Sequence, residues 1–304
     1  MVEVNTNKIT GMKRIVVLFG GFFLLLGTFH ASAQDRKESL VNDGFYTRET
    51  IQQRKPIPYQ YVRESDVLWS KRIWRMIDLR QKMNYPLYFP TTPMQDRESL
   101  VQRLVRAIKY NEITAFDPVD DEFTTRMSYE QVIKNLGAED RVEKQVDENG
   151  NEVDVTIKGE IKWASIKELL IKEDWFFDKQ TSTLQVRIIG ICPIMHDMRV
   201  LQTGEEDQEE TGEITKKQTF WVYFPEARTV LANTDFYNSF NDAQRISFDD
   251  LFFKRQFDSY IIRESNVFDN RLISDYTFGG VQIMQESERI KTDLFNMEHD
   301  LWEY

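Results

Sequence analysis

The chain has 304 residues, with 39 Lys and Arg against 50 Asp and Glu and a formal net charge of −11. An acidic chain of this kind is poorly suited to nonspecific binding of nucleic acid or anionic membrane. One cysteine cannot close an internal disulfide or supply a thiolate zinc site, and three histidines leave little for imidazole-based metal chemistry.

Residues 1–33 read as a secretion signal. Lys8, Lys13 and Arg14 form a positive leader, and Ile15 to Phe29 is an apolar run too short to span a bilayer. Ala31-Ser32-Ala33 is a small-x-small cleavage site, so the mature chain begins at Gln34, with Met1 and Met12 both open as initiators. No cysteine sits at the cleavage site, which excludes a lipoprotein leader. Removing Glu3, Lys8, Lys13 and Arg14 leaves a mature chain of net charge −13, and its expected compartment is the periplasm.

Residues 34–63 read as an extended arm, polar at first and then punctuated by Pro56 and Pro58. A single α+β domain is expected over 64–304. In residues 65–84, Trp69, Ile73, Met76, Ile77 and Met83 recur at three- and four-residue steps, which predicts a helix capped by Ser65 and stopped by Asn84 and Pro86. A Pro-rich link follows. Thr92 and Pro93 fit a helix start, and Leu100, Leu104 and Ile108 fall four apart on that helix.

Residues 139–160 predict a hairpin, because Asn149-Gly150 suits a type I′ turn between two alternating runs. The same stretch lacks the glycine placement of a calcium loop. Ser165 is expected to cap a short helix, SIKELLIKE. Residues 183–194 predict a buried strand, 203–213 an acidic loop with six carboxylates, and 217–225 a second strand. The remainder reads as mostly helical, including 247–265. The last helix carries Ile283, Ser287, Ile290, Leu294, Met297 and Leu301 at alternating spacings of four and three, a seam that packs on the core. The expected fold is therefore α+β, with a helical N-terminal half, a small antiparallel sheet and a helical C-terminal part.

Catalytic patterns are absent from the sequence. It has no phosphate-binding glycine loop and no G-x-S-x-G elbow. Cys192 and His196 lie close in sequence, but Cys192 ends an apolar strand and reads as a buried structural thiol. The one enzyme alternative is a periplasmic carbohydrate-active or cell-wall-binding protein using a carboxylate pair such as Asp120-Asp121 or Asp249-Asp250. Adjacent acids point in different directions, so neither pair makes a convincing dyad. No catalytic, cofactor or metal residue is assigned.

Aromatic residues make up 13% of the chain, and outside the leader Arg outnumbers Lys by 20 to 16. Protein interfaces enrich these residues. The clusters that mix rings and charges supply the candidate partner contacts: Trp74, Arg75, Tyr85, Tyr88, Phe89, Trp221, Tyr223 and Arg228. Arg75 and Arg228 read equally well as structural residues.

These stretches carry a resemblance. DVLWSKRIWRMIDLRQKMNYPLYFP (66–90) and RESLVQRLVRAIKYNEITAFDP (97–118) resemble the gliding motility family GldN, also called PorN. So do FWVYFPEAR (220–228), the Asn241-Asp242 step, FDDLFFKRQFDSYIIRESN (248–266) and IKTDLFNMEHDLWEY (290–304). The resemblance covers residues 60–304. It implies a non-enzymatic periplasmic component of the type IX secretion and gliding machinery. It further implies a ring built from copies of the chain with an outer-membrane lipoprotein of the GldK/PorK type, in contact with the periplasmic part of a GldM/PorM-type motor protein.

Overall fold

Residues 67–78, with their helical spacing of apolar side chains, form an extended strand. The computed structural model describes residues 53–301 except 95–96, 139–140, 147–151, 158, 201–211, 239–240 and 242. The leader, the Ala33/Gln34 cleavage site and the first part of the arm lie outside the described residues, as do the Asn149-Gly150 turn and most of the acidic segment 203–213.

In chain order, strand β1 (Val67–Asp78) leads through a 3-10 turn to a short helix α1 (Tyr85–Tyr88) and then to α2 (Leu100–Lys109). Two short strands, β2 (Ala115–Phe116) and β3 (Arg126–Met127), precede α3 (Tyr129–Asn135). The predicted hairpin is present as β4 (Arg141–Val146) paired with β5 (Glu152–Ile157). The long strands β6 (Ile166–Asp178) and β7 (Thr183–Val200) follow, then β8 (Gly212–Gln218) and β9 (Trp221–Tyr223). Helix α4 (Phe224–Ala232) leads to β10 (Asp235–Phe236) and β11 (Ile246–Ser247), then α5 (Phe248–Phe253), β12 (Tyr260–Glu264), α6 (Ile273–Tyr276) and the long α7 (Gly280–Asp300).

One antiparallel sheet dominates, in the order β12-β1-β6-β7-β9-β2-β3, with β8 paired to the far end of β7. This overturns the expected helical N-terminal half and small sheet. The sheet has eight strands and begins with the first regular element after residue 66. The physical reason lies in β1 and β6, which are central strands covered on both faces. Residues 73–77 of β1 are all buried. A strand covered on both faces loses its period of two, and its continuous apolar run can mimic helical spacing. Residues 166–173 err in the same way, since Leu169, Leu170 and Ile171 are all buried in β6 and Ser165 ends a 3-10 turn.

The strand expected over 183–194 runs on to Val200, and the one expected over 217–225 is divided between β8, β9 and the start of α4. The helix expected from Thr92 begins at Leu100, where Ser99 and Gln102 form a capping box. The 247–265 segment divides into α5, capped by Ser247 and Asp250, and the edge strand β12.

Alternate residues of the sheet face two layers. Ile77, Leu169 and Ile171 join the main core with α2, α4 and α5. Trp74, Met76, Leu170, Cys192, Ile194 and Trp221 form a second cluster on the opposite face, closed by Phe116 and Phe123. Helix α7 packs Ile290 and Leu294 against Ile73 of β1 and Ile261 of β12. There Ser287 Oγ accepts the Ile261 backbone N–H at 2.9 Å, which satisfies a donor on the edge strand.

Residues 53–63 are extended and lie on this same body. The Arg54 backbone N–H donates to Asn233 at 2.8 Å, and the Tyr59 ring sits 4.2 Å from the Arg228 guanidinium.

Candidate functional site

The face of the sheet opposite the helices carries a row of side chains in direct register. Arg263 of β12 pairs with Trp74 of β1, Trp74 with Lys172 of β6, Lys172 with Gly190 of β7, and Gly190 with Tyr223 of β9. Residues directly opposite one another in a sheet share a face, so the row is contiguous.

A loop between β2 and β3 crosses this row. Phe123 lies on Gly190 so closely that a Cβ there would come within 2.5 Å of its ring. That approach is why position 190 has no side chain. Phe123 has φ of 61°, a costly conformation for a bulky residue. Its ring meets Phe116, Trp221 and Tyr223 edge-on at centroid distances of 5.4, 6.0 and 5.8 Å, which offsets that cost.

Asp121 on the same loop gathers the polar end of the row. Its Oδ2 accepts from Trp74 Nε1 and from Arg263, each at 2.7 Å. The Arg263 guanidinium also lies 3.8 Å over the Trp74 ring. Lys172 Nζ donates to the Asp121 backbone carbonyl and stands 3.7 Å from its carboxylate. Burial lowers the Lys172 pKa from its ordinary value, and the nearby Asp121 opposes that shift. Burial lowers that of Arg263 as well, again opposed by Asp121.

A separate feature sits at α1. Tyr85, Phe89, Met83, Met94 and Tyr237 are all exposed, between 42% and 62%. Tyr85, Phe89, Met94 and Tyr237, with Lys82, Pro86, Pro90 and Arg97, line an open cleft of about 510 Å³. The Arg97 guanidinium stacks 4.6 Å from the Tyr237 ring. Tyr85 and Phe89 meet edge-on at 5.6 Å and form a shelf of rings facing solvent. Tyr88 anchors this shelf, because its hydroxyl donates to Ala164 O at 3.1 Å and accepts from Lys167 at 3.2 Å. Leu87, 1% exposed, pins the same turn to the core.

The eight candidate contact residues therefore divide. Tyr85, Phe89 and Tyr223 are exposed and Tyr88 is half-buried, while Trp74, Arg75, Trp221 and Arg228 are buried. Arg75 donates to the Ser259 hydroxyl at 2.9 Å, and burial lowers its pKa. Arg228 forms a bidentate pair with Asp249 at 2.8 and 3.1 Å.

The carboxylate pairs are spent on structure. Asp249 holds Arg228, and Asp250 caps α5. Asp120 accepts from the Glu122 backbone at 2.9 Å, and Asp121 holds the polar row. Cys192 is fully buried, and burial pushes its thiol up to about 12. Among the described residues, no group of three or more His, Cys, Asp or Glu is placed to hold a metal ion.

Lys172 and Arg263 were not legible as site residues. Lys172 lies between Ile171 and Glu173, in what reads as the polar stripe of a helix, and only the strand register brings it beside Trp74.

The family model for the gliding motility associated protein GldN matches residues 62–303. The chain belongs to the GldN family. No curated protein matches it. The GldN match spans β1 through α7 and so includes both the polar row and the aromatic shelf. GldN is a structural family of the gliding motility and type IX secretion machinery, and this chain is a component of that kind. Among the described residues no helix is long and apolar enough to cross a membrane.

Proposed function

We propose that this chain is a non-enzymatic structural subunit of the periplasmic ring of the type IX secretion machinery. In this reading, residues 1–33 direct export and are removed after Ala33. Copies of the mature chain assemble with a GldK/PorK-type outer-membrane lipoprotein beneath the outer membrane. The ring then contacts the periplasmic part of an energised GldM/PorM-type motor protein and transmits force through fixed contacts.

The observation that carries this reading is the aromatic shelf of Tyr85, Phe89, Met94 and Tyr237 in a chain matched by GldN along most of its length. Exposed rings clustered beside an arginine are residue types enriched at protein interfaces, where Tyr and Arg carry much of the binding energy. Tyr223, 40% exposed at the end of the sheet row, is a second contact candidate.

Co-purification from cell envelopes tests the proposal. The tagged chain is expected to recover a lipoprotein partner in a megadalton assembly. Recovery as a clean monomer, with the lipoprotein expressed alongside, sinks it.

A further inference from the structure

Two two-stranded ribbons leave the body from neighbouring roots. One is β4–β5, which pairs with no other strand among the described residues. The other is the far end of β7 with β8. The pairing of β7 with β6 ends at Met195, so residues 196–200 of β7 meet only β8. The roots lie together. Asn135, at the end of α3, donates to the Thr219 backbone carbonyl at 2.9 Å, and Gly137, just before β4, lies beside the Met195 side chain. A two-stranded ribbon alone is marginally stable in water, and each open edge is a template for a further strand.

The outer edge of β8 is open. The Thr219 N–H donates to the Pro193 carbonyl at 3.0 Å, and antiparallel pairs alternate between bonded and non-bonded. Carried along the register, that alternation turns the N–H groups of Thr215 and Lys217 toward β7 and those of Ile214, Lys216 and Gln218 away from it. No other described strand pairs with this edge. Residues 215–218 are all exposed and border an open cleft of about 830 Å³ beside β3 and α3.

Cross-strand charges select the strand that fits. Residues 215–218 carry Lys216 and Lys217 and no carboxylate. Glu168 engages Lys216 at 2.8 Å, which leaves Lys217 to face an added strand. Like charges across a strand pair are destabilising and opposite ones stabilising. A second β8 is therefore a poor partner, and so is β4, with Arg141 and Lys144. Strand β5 has Glu152 and Asp154, no cation, and the β-forming residues Val153, Val155, Thr156 and Ile157.

We propose that β5 of one copy of this chain adds to the β8 edge of the next, so that the two ribbons complete one another between copies. The contact is head to tail, since it joins two different surfaces, and such contacts build rings when the rotation closes. The inference rests on the reading of copies assembled side by side and names the surface by which they join. Main-chain hydrogen bonds supply the attachment, as in other strand additions, and the charges set the choice of strand.

Full-length tagged and untagged copies are expressed together with the lipoprotein, and recovery of the untagged copy is measured. Lys217→Glu with Gln218→Glu reverses the β8 edge on both of its faces. Glu152→Lys with Asp154→Gln reverses β5. Each pair of changes alone is expected to lower copy-to-copy recovery roughly fivefold or more, with the thermal midpoint within a few degrees of the parent. A tagged chain of the first kind mixed with an untagged chain of the second is expected to restore recovery, because each interface then joins opposite charges. Ile214→Pro removes an outward N–H and leaves the bonds to β7 in place, so it too should lower recovery roughly fivefold or more. It serves if a charge variant fails to fold. Undiminished recovery with the variants overturns the proposal. So does rescue only when one chain carries all four charge changes, which assigns the pairing to ribbons of the same chain. Loss of the lipoprotein with copy-to-copy recovery intact overturns it as well and assigns the edge to that partner. In these three cases the parent still assembles and the ring reading stands. A parent that recovers no second copy overturns both.

Discussion

At the scale of single residues, charge placement decides more than hydrophobicity. Arg228 and Asp249 are both nearly fully buried and joined by two hydrogen bonds. Removing one partner strands the other in a low dielectric, which typically costs 3–5 kcal/mol. Arg228→Ala and Asp249→Ala are each expected to destabilise by roughly that amount in urea unfolding. Replacing both together by apolar residues of similar volume should recover most of it. A small loss from either single variant would mean that the pair is solvated in solution.

Cys192 supports a pH prediction. Its thiol has a folded pKa near 12 against an ordinary value of 9.0, so the unfolded chain releases a proton that the folded chain retains. Between these values the unfolded state binds fewer protons and stability falls as pH rises. Cys192→Ala should flatten that alkaline slope in denaturant titrations at pH 9 to 11. The same burial predicts that a thiol reagent labels Cys192 only on unfolding.

Among the elements, helix caps follow local rules and strands do not. Ser99, Ser128 and Ser247 each cap a helix with a partner three residues on, a spacing visible in the bare sequence. Ser99→Ala is expected to cost about 1 kcal/mol, measured by urea unfolding. Helix α7 was legible along its length because only one face is covered, with Ile290 and Leu294 inward and Phe295 exposed. Leu294→Ala should cost about 2–5 kcal/mol and loosen the contact with β12. Hydrogen exchange at Ile261, whose N–H is held by Ser287, should rise with it. Strands β1 and β6 carry a helix-like pattern because two buried faces erase the alternation that identifies a strand, while Trp69, Ile73 and Met76 fall at helical steps.

For the molecule as a whole, the distinction that matters is which rings are core and which are surface. The double variant Tyr85→Ala, Phe89→Ala removes two exposed rings without opening the core, since Leu87 and Tyr88 still anchor the turn. It should leave the thermal midpoint within a few degrees of the parent. If the shelf is a partner contact, recovery of the lipoprotein in co-purification should drop by an order of magnitude or more. Unchanged recovery would move the interface elsewhere on the surface.

The sequence by itself determined the family, since GldN covers residues 62–303, and with it the broad role. It also determined the hairpin strands β4 and β5 and the terminal helix, because each of these follows from contacts a few residues apart. Only the tertiary structure decided that the core is one eight-stranded sheet. Only it set Arg263, Trp74, Lys172, Gly190 and Tyr223 side by side, from strands as far apart in the chain as β1 and β12. Burial and register are relations between distant segments, and local periodicity carries neither. That is why four of the eight aromatic and arginine residues that read as interface are held inside the fold.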